Sequence, residues 1–197
     1  MPGHSALITG GANGIGEATA IQWCRGGGRV TLVDLPSQRE EAVKVISLCG
    51  GPAAAFFVPC DVTSPASLAA SFAAHEVAWG RLDVVVLCAG IGGEGDWLEL
   101  PPAAWRRVLD LNLTALCDGV RLSVRHMRRQ RELLVGSGAG AANAAAAPTS
   151  AEAADCSTDI ICVASASGIF PMNSAPVYAA SKAGVVQVRA RGRGCGH

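Results

Sequence analysis

The sequence predicts an α/β fold, a doubly wound parallel sheet, and three observations carry that expectation. Short β-rich apolar runs recur at 6–9, 30–33, 55–58, 82–87 and 160–163. Longer helix-compatible stretches separate most of them. The runs are apolar throughout instead of alternating, as VVVL and IICV are, which is the pattern of strands buried on both faces. Right-handed crossovers then put helices on both sides of the sheet. With 197 residues the chain is long enough for one well-buried core and short of two, so residues 1–197 are expected to form one domain.

Half of the residues are hydrophobic, 16% are charged and the formal net charge is zero. That balance argues against nucleic acid, anionic membrane or acidic partners and leaves small molecules as the default. Cys24, Cys49, Cys60, Cys88, Cys117, Cys156, Cys162 and Cys195 are scattered without a Cys-x-x-Cys pair, and the histidines do not cluster with them. Free thiols in a reducing compartment and no metal site are therefore expected. The first strand begins almost at Met1, leaving no room for a leader peptide, and no run of about eighteen apolar residues occurs, so the expected location is cytoplasmic.

Two stretches break the β/α rhythm. Residues 133–158 are rich in Ala, Gly and Ser and read as a low-complexity surface insertion with room for a helical patch near Ala144. The Arg/Gly tail at 189–197 reads as a solvated end in preference to an RNA contact.

After the first strand comes Thr9-Gly-Gly-Ala-Asn13-Gly-Ile15-Gly16, leading into a helix-compatible stretch. Gly10 permits a tight turn, Gly14 keeps side-chain atoms away from a pyrophosphate, and Gly16 lets the helix pack tightly on the sheet while its N-terminus faces the anion. Asp34 ends the second strand about twenty residues later, where a carboxylate accepts hydrogen bonds from ribose hydroxyls and repels a 2′-phosphate. NAD is thus favoured over NADP, with nearby Arg39 keeping NADP open.

Tyr178 is the sole tyrosine and stands one helical turn before Lys182, so both project from one helix face. An ammonium beside a phenol lowers its pKa from about 10 toward the range useful for proton exchange with an alcohol or ketone. The strand at 160–163 runs into Ser165, which reaches the C-terminal edge of the sheet, where open α/β folds bind ligands.

The glycine-rich turn, Asp61-Val62 after the third strand, Ala89-Gly90 after the fourth, Asn112, Ser165 and Tyr178-x-x-x-Lys182 appear in order. In this set the chain resembles the short-chain dehydrogenase/reductase family from about residue 5 to residue 188; Gly-Ile-Phe-Pro and Ala-Pro-Val-Tyr are most similar to its 15-hydroxyprostaglandin dehydrogenase branch. The resemblance implies a Rossmann-like fold and a secondary alcohol or ketone as substrate. It implies that Tyr178 is the acid/base, that Lys182 lowers its pKa and holds the nicotinamide ribose, that Ser165 orients the reacting oxygen, and that Asn112 anchors a water linking Lys182 to solvent. Asp61 and Val62 would contact adenine. Ala89 and Gly90 would border the cofactor through backbone, as would the turn residues Gly10, Asn13, Gly14, Ile15 and Gly16.

Departures from the family pattern set the alternative. Leu87-Cys88 stands where the family usually has two asparagines, and Cys88 reads as a packed thiol. The family's last strands and substrate-covering segment do not follow Val188, so the sheet is expected to lack them, and the chain reads as a truncated product with an exposed sheet edge and a weakened homo-oligomer face. The alternative is a non-catalytic dinucleotide-binding or interaction module, with the insertion or tail as a further contact surface.

Overall fold

The structure is a computed structural model and describes residues 3–92, 95–138 and 158–188. The strands are β1 (Ser5–Thr9), β2 (Arg29–Asp34), β3 (Ala55–Pro59), β4 (Val84–Leu87) and β5 (Asp159–Cys162). The helices are α1 (Gly14–Arg25), α2 (Arg39–Leu48), α3 (Pro65–Trp79), α4 (Pro102–Leu109), α5 (Ala115–Gly138) and α6 (Pro176–Gln187), with one π-helical turn at Asp110–Thr114 joining α4 to α5.

All four strand pairings are parallel and give the order β3-β2-β1-β4-β5. β1 is buried along its whole length because both faces are covered. On one face Ala20 of α1 and Ala42 and Val45 of α2 pack over Ile8, Val30 and Leu32. On the other, Leu68 and Phe72 of α3, Leu116 and Val120 of α5, and Val185 of α6 pack over Leu7, Val33 and Val85. The expected doubly wound parallel sheet is the fold observed.

Local chemistry sets the element ends. Ser64 caps α3 by accepting from the Ser67 amide, and Pro65 follows at the first helical position, where its missing N–H costs nothing. The helix stops at Gly80, whose φ of 71° suits glycine. Below it, the buried Asp83 carboxylate accepts from the Ser5 amide at 2.7 Å and pairs with Arg81 at 2.6 Å, which pins the entry of β4 to the start of β1.

Three expectations need correction. The IICV run is not buried on both faces: β5 pairs with β4 alone among the described residues, and Ile161 is 49% exposed. A one-sided edge strand with apolar residues on both faces has the same sequence signature as a central one. The run expected at 82–87 is a strand only from Val84, although the Asp83 amide already donates to the Ser5 carbonyl at 3.1 Å and its carbonyl accepts from the Asp159 amide at 2.9 Å. α5 continues to Gly138, past the compositional boundary at 133, because Glu132, Leu133 and Leu134 are good helix formers. The rest of the expected insertion, including the patch near Ala144, the tail at 189–197, and Cys156 and Cys195, lie outside the described residues. Among the described residues no helix is long and apolar enough to cross a membrane.

Candidate functional site: a groove at the sheet switch point

Strand order reverses between β1 and β4, so the crossovers leaving their C-terminal ends run to opposite faces and open a crevice there. That crevice is a groove of about 410 Å³. Gly10, Asn13, Gly14 and Ile15 from the glycine-rich turn line it, with Asp34 from the end of β2. Asp61 and Val62 after β3, and Ala89 and Gly90 after β4, also line it, whereas Gly16, Tyr178 and Lys182 of the expected set do not.

The turn is shaped by backbone contact. Gly10 has φ of 66°, and a Cβ there would lie 3.0 Å from the Ala89 backbone, so only glycine lets β1 turn against the end of β4. A Cβ on Gly16 would stand 2.1 Å from the Gly10 carbonyl oxygen. Gly16 therefore packs the helix start on the turn itself, where packing on the sheet was expected. By contrast, a Cβ on Gly14 would meet nothing within 4 Å, so the space above the N-terminus of α1 is open to a ligand.

Asp34 is held in place by this turn: one carboxylate oxygen accepts from the Ala12 amide at 3.0 Å and the other from the Leu35 amide at 2.8 Å. Asp61 accepts from both the hydroxyl and the amide of Thr63, bonds that hold its pKa below the usual carboxylate value. Both wall carboxylates are thus held in place at the groove by backbone amides.

Gly90 joins this groove to the second group of expected residues. A Cβ there would lie 3.2 Å from Asn112 Oδ1 and 3.5 Å from Lys182 Nζ. Asn112 is fully buried in the π-helical turn, where Oδ1 accepts from the Ile91 amide and Nδ2 donates to the Ile91 carbonyl and to Ser181 Oγ. Ser181 in turn donates to the Tyr178 carbonyl at 2.7 Å. Lys182 is 5% exposed, and its ammonium donates to the Val163 carbonyl at 2.9 Å and lies 5.8 Å from the centre of the Tyr178 ring. Burial lowers the Lys182 pKa from its ordinary value.

Tyr178 faces a neighbouring recess lined by Trp97, Trp105 and Val177, not the glycine-turn groove. Ser165 caps the short 3-10 turn at Ala166–Gly168, accepting from the Ser167 amide and donating to Ser167 Oγ at 3.3 Å. Its hydroxyl is occupied locally.

Sequence reasoning missed three supporting residues. Thr9 Oγ1 accepts from the amides of Cys88 and Ala89, holding the end of β4 where the family pattern offers asparagine side chains. Gln38 accepts from Asn13 Nδ2 at 2.8 Å across the groove rim, and Ser181 links Asn112 to α6. Only Ser181, inside the Tyr178–Lys182 spacing, had a local signal. Cys88 also lines the groove, and burial raises its thiol pKa, the state of a packed thiol.

A family model for short chain dehydrogenases matches residues 4–149. The chain belongs to the short chain dehydrogenase family. It is 37% identical over 126 residues to the short-chain reductase protein NovJ of Streptomyces niveus, covering 64% of this chain and 47% of the relative. It is 30% identical over 187 residues to the NAD(+) 15-hydroxyprostaglandin dehydrogenase of Mus musculus, covering 93% of this chain and 58% of the relative. This short chain dehydrogenase sequence therefore spans about half the length of the curated relatives it matches. Among solved structures, a short chain dehydrogenase/reductase from Burkholderia phymatum in complex with NAD superimposes with a TM-score of 0.76 at 25% identity, covering 94% of this chain and 57% of that one.

Proposed function

We propose that this chain is the nucleotide-binding and proton-transfer part of an NAD-dependent oxidoreductase that interconverts a secondary alcohol and a ketone. The observation that carries the reading is the placement of Lys182 Nζ between Gly90 on the nucleotide groove and the Tyr178 ring at the neighbouring recess. One cation serves both sites.

The residues present fit a dinucleotide. The open space over Gly14 at the N-terminus of α1 suits a pyrophosphate, and the Asp34 carboxylate at the end of β2 suits ribose hydroxyls. The same anion disfavours a 2′-phosphate, so NAD is preferred over NADP. Two named relatives support this choice, one by its NAD(+) designation and one by its NAD complex. When bound, NAD supplies the hydride acceptor or donor.

The chain's own groups handle the proton. In alcohol oxidation the Tyr178 phenolate accepts the hydroxyl proton, and in ketone reduction the phenol donates it. Lys182 stabilises the phenolate by charge and, being fixed to the Val163 carbonyl, holds that charge in one place. Asn112 positions the Ile91 segment and, through Ser181, the first turn of α6. Ser165 orients the substrate oxygen after giving up its bond to Ser167. Asp61 and Val62 take the adenine side of the groove, and Ala89 and Gly90 its floor.

The test is NAD reduction with a panel of secondary alcohols by the wild-type chain and by Tyr178→Phe. Loss of the phenol should lower turnover by at least about 100-fold while NAD affinity stays within about threefold. Turnover that survives the substitution, or a wild-type chain that binds NAD and reduces it with no alcohol, would contradict the proposal.

A further inference from the structure

Around Tyr178 the wall of the recess is apolar. Trp97 and Leu100 come from the loop after β4, Trp105 and Val108 from one face of α4, and Val177 from the first turn of α6. Among the described lining residues only Ser174 and Tyr178 carry hydroxyls, and none is charged. The loop is set by its own bonds: the Asp96 carboxylate accepts from the Leu98 amide at 3.1 Å, and the Asp96 carbonyl from the amides of Glu99 and Leu100. Trp97 is thereby held at the recess while 44% exposed, and Leu98 beside it is 71% exposed.

A second apolar stretch lies beside the other hydroxyl of the proposed reaction. Ser167, the partner of Ser165, donates to Met172 Sδ at 3.8 Å, and Met172 is exposed together with Ile169 and Phe170. Each candidate contact to the reacting oxygen thus has exposed apolar side chains near it. The recess itself holds about 20 Å³, enough for one water-sized group. It admits the carbinol and little else, so the body of a substrate has to rest on the side chains at its mouth.

We propose, as an inference that rests on the oxidoreductase function above, that this chain selects secondary alcohols whose carbinol carries a bulky uncharged ring, with Trp97 and Trp105 as the specificity-determining residues. The carbinol enters beside Tyr178, and the ring lies against the two indoles, where it gains contact area and stacking. A carboxylate in the same place loses its hydration against walls that carry no cation. Arg106 is stacked on Trp105, its guanidinium 5.0 Å from the ring centre, and does not line the recess. In sequence Asp96 and Glu99 bracket Trp97 and Leu98, and their charge opposes an anionic substrate.

The test compares NAD reduction by the full chain with 1-phenylethanol, with isopropanol, which lacks the ring, and with mandelate, which keeps the ring and adds a carboxylate. We expect kcat/KM for 1-phenylethanol to exceed that for either of the others at least about tenfold. Trp97→Ala and, independently, Trp105→Ala should each narrow the ratio of 1-phenylethanol to isopropanol at least about threefold, through KM; loss of folded protein does not move such a ratio. Binding of acetophenone beside NAD, read by saturation-transfer NMR, should weaken in both variants and needs no turnover. Equal use of the three alcohols, or a ratio that both variants leave intact, overturns this inference and leaves the proposed reaction standing. Acetophenone binding that depends on Trp97, without NAD reduction by any alcohol, overturns the reaction and upholds the apolar wall. A chain that neither binds acetophenone nor reduces NAD overturns both.

Discussion

Thr9 shows how much one side chain does at the centre of this molecule. Its backbone pairs with Val33 on one side and Leu87 on the other, while its hydroxyl takes the amides of Cys88 and Ala89 as β4 ends. Thr9→Val keeps the shape and removes that acceptor, so two part-buried amides lose their partner. We expect a loss of about 1–3 kcal/mol in urea-derived stability, with Thr9→Ser close to wild type. Equal stability of the valine variant would show that the hydroxyl is dispensable. The residue was not legible in the sequence because its partners stand 79 and 80 positions away. Tyr178 and Lys182, by contrast, were legible as a pair because one helical turn fixes their relation locally. Even so, the spacing did not show that Tyr178 lines a recess separate from the glycine-turn groove, or that Ser165 is engaged with Ser167.

Among the elements, α3 is tied to the sheet by a buried polar contact as well as by Leu68 and Phe72. His75 is 1% exposed; Nδ1 bonds Thr31 Oγ1 on β2 at 2.7 Å, and Nε2 lies 3.1 Å from Ser5 Oγ on β1 and 2.9 Å from the Arg81 carbonyl. Burial pushes its pKa down to about 4. Because the folded value is depressed, the stabilisation tied to neutral His75 is complete above about pH 6.5, declines as the unfolded chain takes up a proton, and is gone once the pH falls through about 4. Over that window the group removes roughly 1.4 kcal/mol per pH unit. His75→Gln, which cannot titrate, should show a shallower fall in urea midpoint between pH 6.5 and 4, and parallel curves would contradict this. The strand pattern itself was legible from apolar runs, and β1, β2 and β4 are largely buried as such runs imply. The partial exposure of β3 and β5 was not, because an edge position is a property of strand order, which no local run encodes.

At the scale of the whole molecule, parallel pairing with a reversal of order between β1 and β4 creates one groove from residues spread between Gly10 and Gly90. The order of the motifs along the chain made that convergence legible in advance, and membership of the short chain dehydrogenase family agrees with it. In the proposed function this groove holds NAD through the open turn at Gly14 and the carboxylate of Asp34. Calorimetric titration of the chain and of Asp34→Ala with NAD and with NADP tests it most directly. Saturable NAD binding, weaker NADP binding and at least about a tenfold loss of NAD affinity in the variant, the equivalent of about 1.4 kcal/mol, are expected. A folded chain that binds neither nucleotide, or an Asp34→Ala variant that binds NAD as tightly as wild type, would contradict it.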